Sequence, residues 1–170
     1  YVHNGGETTS DGFDFTVTDG TNTTASQSFG ITITPVNDAT QITTNATGTL
    51  AEGGTLTIGN ALLSITDSDD GAADVTYTAS NLTNGVVQVS GIAGNIFTQD
   101  DINNNRVTFV HNGGETSTAS FDISVIDGGE NGASADTATF NMNVTPVNDA
   151  PTLTTNVATT VTEGEFVTLT

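Results

Sequence analysis

No cysteine occurs in this chain, so it has neither a disulfide framework nor a thiolate nucleophile, and the absence by itself assigns no compartment. Tryptophan is missing too, and tyrosine is limited to Tyr1 and Tyr77. Paired carboxylates such as Asp100-Asp101 or Asp67-Asp69 could in principle cleave a glycoside, but a sugar site also needs exposed aromatics. No Gly-x-Ser-x-Gly motif is present, and these absences together predict that the chain is not an enzyme. Lysine is absent and Arg106 is the single basic residue, against 20 acidic ones, for a formal net charge of −19. Nucleic acid and anionic membrane surfaces would be repelled. No stretch approaches the ~20 consecutive apolar residues of a membrane span, and no signal peptide is visible, so an export signal or anchor is expected outside this segment.

What is present is a copy. His3-Asn4-Gly5-Gly6-Glu7-Thr8 returns as His111 to Thr116, from 3 to 111, a displacement of 108. Pro35-Val36-Asn37-Asp38-Ala39 returns as Pro146 to Ala150, from 35 to 146, a displacement of 111. The second copy therefore has a longer turn after its Asp-Gly. Such self-similarity marks a tandem array of small modules, which supplies length, stiffness or multivalent contact more often than catalysis. The phase of the copies divides the chain into 1–38, the C-terminal half of one repeat; 39–149, a complete repeat; and 150–170, the start of the next. The chain reads as a window on a longer array whose partial ends need neighbours to bury a core. Alternatively, the two ends complement each other between chains and form a fibre.

Charged residues make up only 12% of the chain while valine, isoleucine, leucine and phenylalanine recur periodically, so it is expected to fold. Phe13-Asp14-Phe15-Thr16-Val17 and Phe121-Asp122-Ile123-Ser124-Val125 alternate apolar and polar, as do the sets Phe29, Ile31, Ile33 and Phe140, Met142, Val144. Period two over such lengths predicts half-buried strands. Val75, Tyr77 and Ala79 begin another strand, with Tyr77 expected in the core, and Val107 with Phe109 another. Asn84-Gly85 is the favoured pair for a tight hairpin turn, and Gly91 to Asn95 reads as the next reversal. One helical turn is expected at Thr98 to Ile102, with Thr98 as its cap and Asp101 reaching back. About seven or eight strands in the complete repeat predict an all-β fold, a β-sandwich. His3 and His111 are expected in loops or at strand ends. Four Asn-x-Ser/Thr sequons, at Asn22, Asn45, Asn81 and Asn143, fit chance in a chain this rich in asparagine and threonine.

An acidic surface this extreme either stays solvated in salt or is neutralised by bound cations. Acidic features recur where modules meet: the joints Asn37-Asp38 and Asn148-Asp149, the Asp67-Ser68-Asp69-Asp70-Gly71 loop, and the glutamates Glu52 and Glu115. Calcium takes six to eight oxygens from carboxylates, amides and carbonyls, and a D-x-D loop could turn two carboxylates toward one ion. The spacing is not that of an EF-hand, which needs a glutamate at its twelfth position. The competing reading is that aspartate and asparagine fill these loops as turn formers.

The order Ala51-Glu52-Gly53, Thr66-Asp67-Ser68-Asp69, Ser120 to Gly129 and Pro146 to Pro151 resembles a cadherin-type repeat. More narrowly, Phe97 to Ile102 through Val107 to His111 is similar to the chondroitin-sulfate-proteoglycan type repeat of animal matrix proteins and giant bacterial surface adhesins. The resemblance implies Greek-key sandwiches of the cadherin and immunoglobulin kind strung in a rod, with calcium stiffening the joints. Carried over, the first joint would use Asn37, Asp38, Asp67 and Asp69, and the second Glu52, Glu115, Asn148 and Asp149. Thr34 and Thr145 replace the family's leading linker aspartate, and Ala39 and Ala150 its last asparagine, which implies fewer ions per joint. The expected function is a structural extender of a long secreted or cell-surface protein, an adhesin or an extracellular filament. Neighbouring repeats of the same chain are its expected partners. The alternative is a homophilic or glycan-binding module of a secreted multidomain protein.

Overall fold

The computed structural model describes residues 1–128 and 134–168. Two strands open the chain, β1 (Ser10–Phe15) and β2 (Gln27–Thr32), paired antiparallel with Phe13 opposite Phe29. Then follow β3 (Gln41–Asn45), β4 (Gly48–Ala51), β5 (Thr55–Thr57), β6 (Leu63–Thr66), β7 (Thr76–Thr83), β8 (Gly85–Val89), β9 (Ile92–Ala93) and β10 (Ile96–Thr98). A single turn of helix, α1 (Gln99–Asn103), leads to β11 (Val107–His111), β12 (Thr118–Ile126) and β13 (Asp136–Thr145). The longer turn expected after Asp127-Gly128 runs through 129–133, outside the described residues.

The fold is a β-sandwich of Greek-key connectivity. A five-stranded sheet in the order β10-β7-β12-β13-β4 faces a four-stranded sheet in the order β5-β11-β8-β9, and β3 pairs with β6 at one end. Strand β4 lies parallel to β13, Gly48–Ala51 against Met142–Thr145, so the first and last strands of the five-stranded sheet's edge are side by side. Alternation becomes burial in the expected way: along β12, Ala119, Phe121, Ile123 and Val125 point into the core. Phe109, Phe121 and Phe140 stack across it, with centroids 6.1 and 5.2 Å apart. Tyr77 is fully buried, stacked on Phe97 at 5.1 Å, and burial pushes its phenol far above the ordinary value.

The sandwich has more strands than the pattern suggested, because three of them (β5, β9 and β10) are only two or three residues long. One turn assignment is corrected. Asn84-Gly85 is not a hairpin: β7 before it belongs to the five-stranded sheet and β8 after it to the four-stranded one. It is a corner between layers, and its glycine is required by space, since a Cβ on Gly85 would collide with the Phe109 ring and the Val110 carbonyl. The tight hairpin is Ser90-Gly91, between Val89 and Ile92, with φ of 52° and 81° at the two turn residues, as a right-twisted ribbon demands.

The helical turn forms as expected. The Thr98 side chain accepts from the Asp101 N–H at 3.1 Å, and the Asp101 carboxylate accepts from the Thr98 N–H at 2.9 Å. Arg106 closes the loop on Asp101 at 2.8 Å and also pairs with Asp100. Burial works against the Asp101 anion, but the Thr98 and Arg106 hydrogen bonds outweigh it and hold the carboxyl below its ordinary value. Beneath this turn Gln99, which sequence reasoning did not single out, is buried with both ends occupied. Its Oε1 accepts from the Tyr77 hydroxyl at 2.6 Å and its Nε2 donates to Asn60 and Asn103 at 2.8 and 2.9 Å. Thr98→Ala removes the cap and is expected to lower stability by about 1 kcal/mol, measured as a shift of the denaturant midpoint with the slope unchanged.

The hairpin β1-β2 differs from its counterpart in exposure. By displacements of 108 and 111, Phe13 and Phe29 correspond to Phe121 and Phe140. The latter are 0% exposed, whereas Phe13 and Phe29 stack on each other at 5.3 Å and remain 51% and 54% exposed.

Candidate metal-binding joints

Each acidic cluster is built by a turn that the local sequence dictates. The His111-Asn112-Gly113-Gly114-Glu115 loop leaves the end of β11 with His111 only 3% exposed. His111 Nδ1 accepts from the Gly53 N–H at 3.1 Å and the Gly113 N–H at 3.2 Å. Two donors on Nδ1 put the imidazole proton on Nε2, which donates to Thr116 Oγ1 at 2.9 Å. The histidine thereby ties the loop carrying Glu115 to the Glu52-Gly53-Gly54 turn. Gly53 has a φ of +66° and lies across from Gly113, which has one of +79°. His3 repeats the two contacts within its own loop in the first copy, accepting from Gly5 N–H at 3.3 Å and bonding Thr8 Oγ1 at 3.0 Å.

Three clusters of carboxylates come together, each with ligand oxygens within 4.8 Å of one another. At the second joint they are Glu52, Glu115 and Asp149, all three expected there. Glu52 is fixed by the linker itself: its Oε2 accepts from the Val147 N–H at 3.0 Å, while its Oε1 is buried without a hydrogen-bond partner. Asn148, also expected there, donates its Nδ2 to the Asp149 carbonyl at 3.2 Å, as Asn37 does to the Asp38 carbonyl at the first joint.

At the first joint the clusters are Glu7, Asp38, Asp69 and Asp67, Asp70, Asp127. Asp38 donates its N–H to the Asp69 carboxylate. Asn37 donates to Asp127 Oδ2 at 3.1 Å and leaves its own Oδ1 buried without a partner. Asp67 and Asp69, expected to turn toward one ion, fall in different clusters. The cause is the turn: Asp67 Oδ1 accepts the N–H groups of Asp69 and Asp70, both at 2.8 Å, which orients its Oδ2 inward, buried and without a hydrogen-bond partner. Asp69 projects the other way, to the linker. The turn-forming and the ligand-presenting roles of Asp67 are therefore held by different oxygens of one carboxylate.

Glu7 and Asp127 were not singled out, and Asp70 was read only as part of its acidic loop, not as a ligand. Glu7 was legible as the counterpart of Glu115 at the displacement of 108. Asp127, only 3% exposed, gave no signal of its own, since it follows the apolar run of β12 and reads as the start of a turn. Charge crowding is felt at Glu7, whose carboxyl is raised above its ordinary value. The hydrogen bond to Asp69 is the main cause, then desolvation and the Asp69 and Asp38 charges, against a small opposing effect of His3. With the folded value above the unfolded one, Glu7 disfavours the folded joint once the pH has risen past the raised value, and the penalty vanishes below the ordinary carboxylate range. Beyond the small effect of His3, no arginine or lysine relieves it: Arg106 is the only one and is engaged with Asp100 and Asp101.

All the donors in these clusters are hard oxygens, and three of them (Asn37 Oδ1, Asp67 Oδ2 and Glu52 Oε1) are buried without hydrogen-bond partners. That donor set suits calcium, and not a soft metal that needs sulfur or imidazole. A cleft of about 560 Å³ beside the first joint is lined by Asp38, Gln41, Thr66, Asp67 and Asp136 among others, with neither an imidazole nor an aromatic ring in it. Among the described residues no helix is long and apolar enough to cross a membrane.

Comparison with known proteins gives a consistent result. Residues 1–33 and 40–145 match a family model described as cadherin-like. Chondroitin sulfate proteoglycan 4 of Homo sapiens is 36% identical over 119 residues, 66% of this chain and 5% of that protein. Extracellular matrix organizing protein FRAS1 of Homo sapiens is 31% identical over 175 residues, 92% of this chain and 4% of that protein. Extracellular matrix protein 3 of Lytechinus variegatus is 34% identical over 142 residues, 77% of this chain and 4% of that protein. The chain thus spans only 4 to 5% of the length of these relatives.

Proposed function

We propose, since this chain belongs to the cadherin-like family, that it is a structural extender segment of a long extracellular repeat protein whose joints are stiffened by calcium. The observation that carries this reading is that the acidic clusters recur with the repeat. Glu7 and Asp38 at one joint correspond to Glu115 and Asp149 at the other, by displacements of 108 and 111, and each pair is completed by a further carboxylate. An ion at the first joint would be held by Glu7, Asp38 and Asp69, and a second by Asp67, Asp70, Asp127 and the Asn37 amide oxygen. At the second joint Glu52, Glu115 and Asp149 would hold one. Calcium supplies positive charge there and nothing else; the chain's own residues position the oxygens. Their mutual repulsion keeps a metal-free joint splayed and mobile, and neutralising it removes hinge freedom, so the array extends. The role is mechanical and not catalytic. Its place is outside the cell, as for relatives named for the extracellular matrix, and a surface adhesin or a filament would both use it.

The test is small-angle scattering of the chain in calcium, in chelator, and in magnesium at equal ionic strength. A longer maximum dimension in calcium alone, reversed by chelator, is expected. Equal profiles in calcium and magnesium would sink the ion-stiffened joint.

A second reading concerns partners. The face carrying Phe13, Phe15, Val17 and Phe29 is exposed although its counterparts in the second copy are core. Such a face fits the missing half of a sandwich, supplied by another repeat of the same polypeptide or by a second copy, and in the latter case the chain would assemble into a fibre.

A further inference from the structure

We propose that Asn112-Gly113, with its repeat counterpart Asn4-Gly5, is a site of spontaneous succinimide formation and deamidation that His111 and His3 promote. The described residues contain three Asn-Gly pairs: these two and Asn84-Gly85. In such a pair the glycine nitrogen can attack the asparagine Cγ, because no Cβ on the following residue hinders the five-membered ring. Two further groups are in place at 112. The attacking nitrogen, that of Gly113, already donates its hydrogen to His111 Nδ1 at 3.2 Å, and that nitrogen is a lone-pair acceptor in the tautomer set by Gly53 and Thr116. The carbonyl under attack has its Oδ1 on the Gly114 N–H at 3.0 Å, a donor aimed at the oxygen on which negative charge develops. The first copy repeats both contacts, Gly5 N–H to His3 Nδ1 at 3.3 Å and Gly6 N–H to Asn4 Oδ1 at 3.1 Å. Both asparagines and both following glycines are exposed to water.

The step runs as follows. The Gly113 nitrogen bonds to Asn112 Cγ as its proton passes to His111 Nδ1. The imidazolium returns a proton to Nδ2, the Cγ–Nδ2 bond breaks and ammonia leaves. Water then opens the imide at either carbonyl, giving aspartate or isoaspartate. His111 is catalytic in this sense, since it touches the nitrogen that reacts. Asn84-Gly85 is the internal contrast. Its amide nitrogen is bonded to the Thr118 carbonyl at 2.8 Å and Gly85 is paired into β8 opposite His111, so the amide is held away from the backbone. Each conversion would add a carboxylate three residues before Glu115 or Glu7, an acid-by-acid change in joint charge with age; this consequence, unlike the chemistry, rests on the joint reading above.

Folded chain is aged at neutral pH and each pair is followed by tandem mass spectrometry, which separates asparagine, aspartate and isoaspartate. Asn112 and Asn4 are expected to convert roughly a hundredfold faster than Asn84, the lower end of what a placed proton acceptor contributes. In denaturant the three rates should converge. His3→Ala, which lies outside the sandwich core, should slow Asn4 toward the Asn84 rate and leave Asn112 unchanged. Equal rates at the three pairs in the folded chain, or an Asn4 rate indifferent to His3→Ala, would overturn the proposal.

Discussion

Phe121→Ala is expected to destabilise the sandwich by about 3–5 kcal/mol, while the same change at its repeat counterpart, Phe13→Ala, costs well under about 1 kcal/mol. The two phenylalanines occupy equivalent positions of one repeated strand, so sequence alone gives no reason to separate them. Burial does. Phe121 is fully enclosed, between the rings of Phe109 and Phe140, and truncation leaves a cavity that close packing on both sheets cannot collapse. Phe13 stacks on Phe29 and meets the Phe15 ring at 6.3 Å but stays 51% exposed, so truncation forfeits contacts with two half-exposed rings and leaves no enclosed cavity. Urea unfolding followed by the fluorescence of buried Tyr77 reads the sandwich, since the chain has no tryptophan to obscure it. The midpoint should fall steeply for Phe121→Ala and stay nearly fixed for Phe13→Ala. A similar loss from both would mean that the β1-β2 hairpin is also packed in solution, as a complementary half-sandwich from a second copy would make it, and the dependence on protein concentration would then show which partner covers it.

Most of the fold was legible because strand alternation is a short-range signal that burial on one face enforces. Phe121 to Val125 and Phe140 to Val144 were read correctly since every second residue must enter the same core. The capped turn at Thr98 was equally local, as its two reciprocal hydrogen bonds span three residues. Asn84-Gly85 was misread because the same dipeptide serves a hairpin turn and a crowded corner, and only the Phe109 ring, which arrives from residue 109, tells them apart. The acidic sites divide the same way. Asp38, Glu52, Glu115 and Asp149 were readable from their recurrence at the joints. Asp127 was not, because what makes it a site member is that Asp67 and Asp70 converge on it from a loop about sixty positions earlier. The splitting of Asp67 from Asp69 is likewise a matter of which oxygen the turn consumes, which residue types do not encode.

The second large effect is a change of sign. Asp67→Asn can keep the Oδ1 that accepts from Asp69 and Asp70, and it replaces the buried, charged Oδ2 beside Asp70 and Asp127 by a neutral amide NH2, a donor to those carboxylates. Without calcium the variant is expected to melt at a higher temperature than the parent, since one of three like charges within reach of one another is gone. With calcium the order reverses. A single ion present at a hundred times its dissociation constant stabilises the folded chain by about 2.7 kcal/mol, and the parent collects this while the variant, short of one anionic ligand, collects much less. Thermal unfolding of both proteins in chelator, in calcium, and in magnesium at matched ionic strength would show the crossing. Parallel shifts of the two curves with calcium would mean that the ion acts only by general screening and that Asp67 is a turn former alone. A higher melting temperature for the parent even in chelator would mean that repulsion within this cluster does not limit the stability of the metal-free chain.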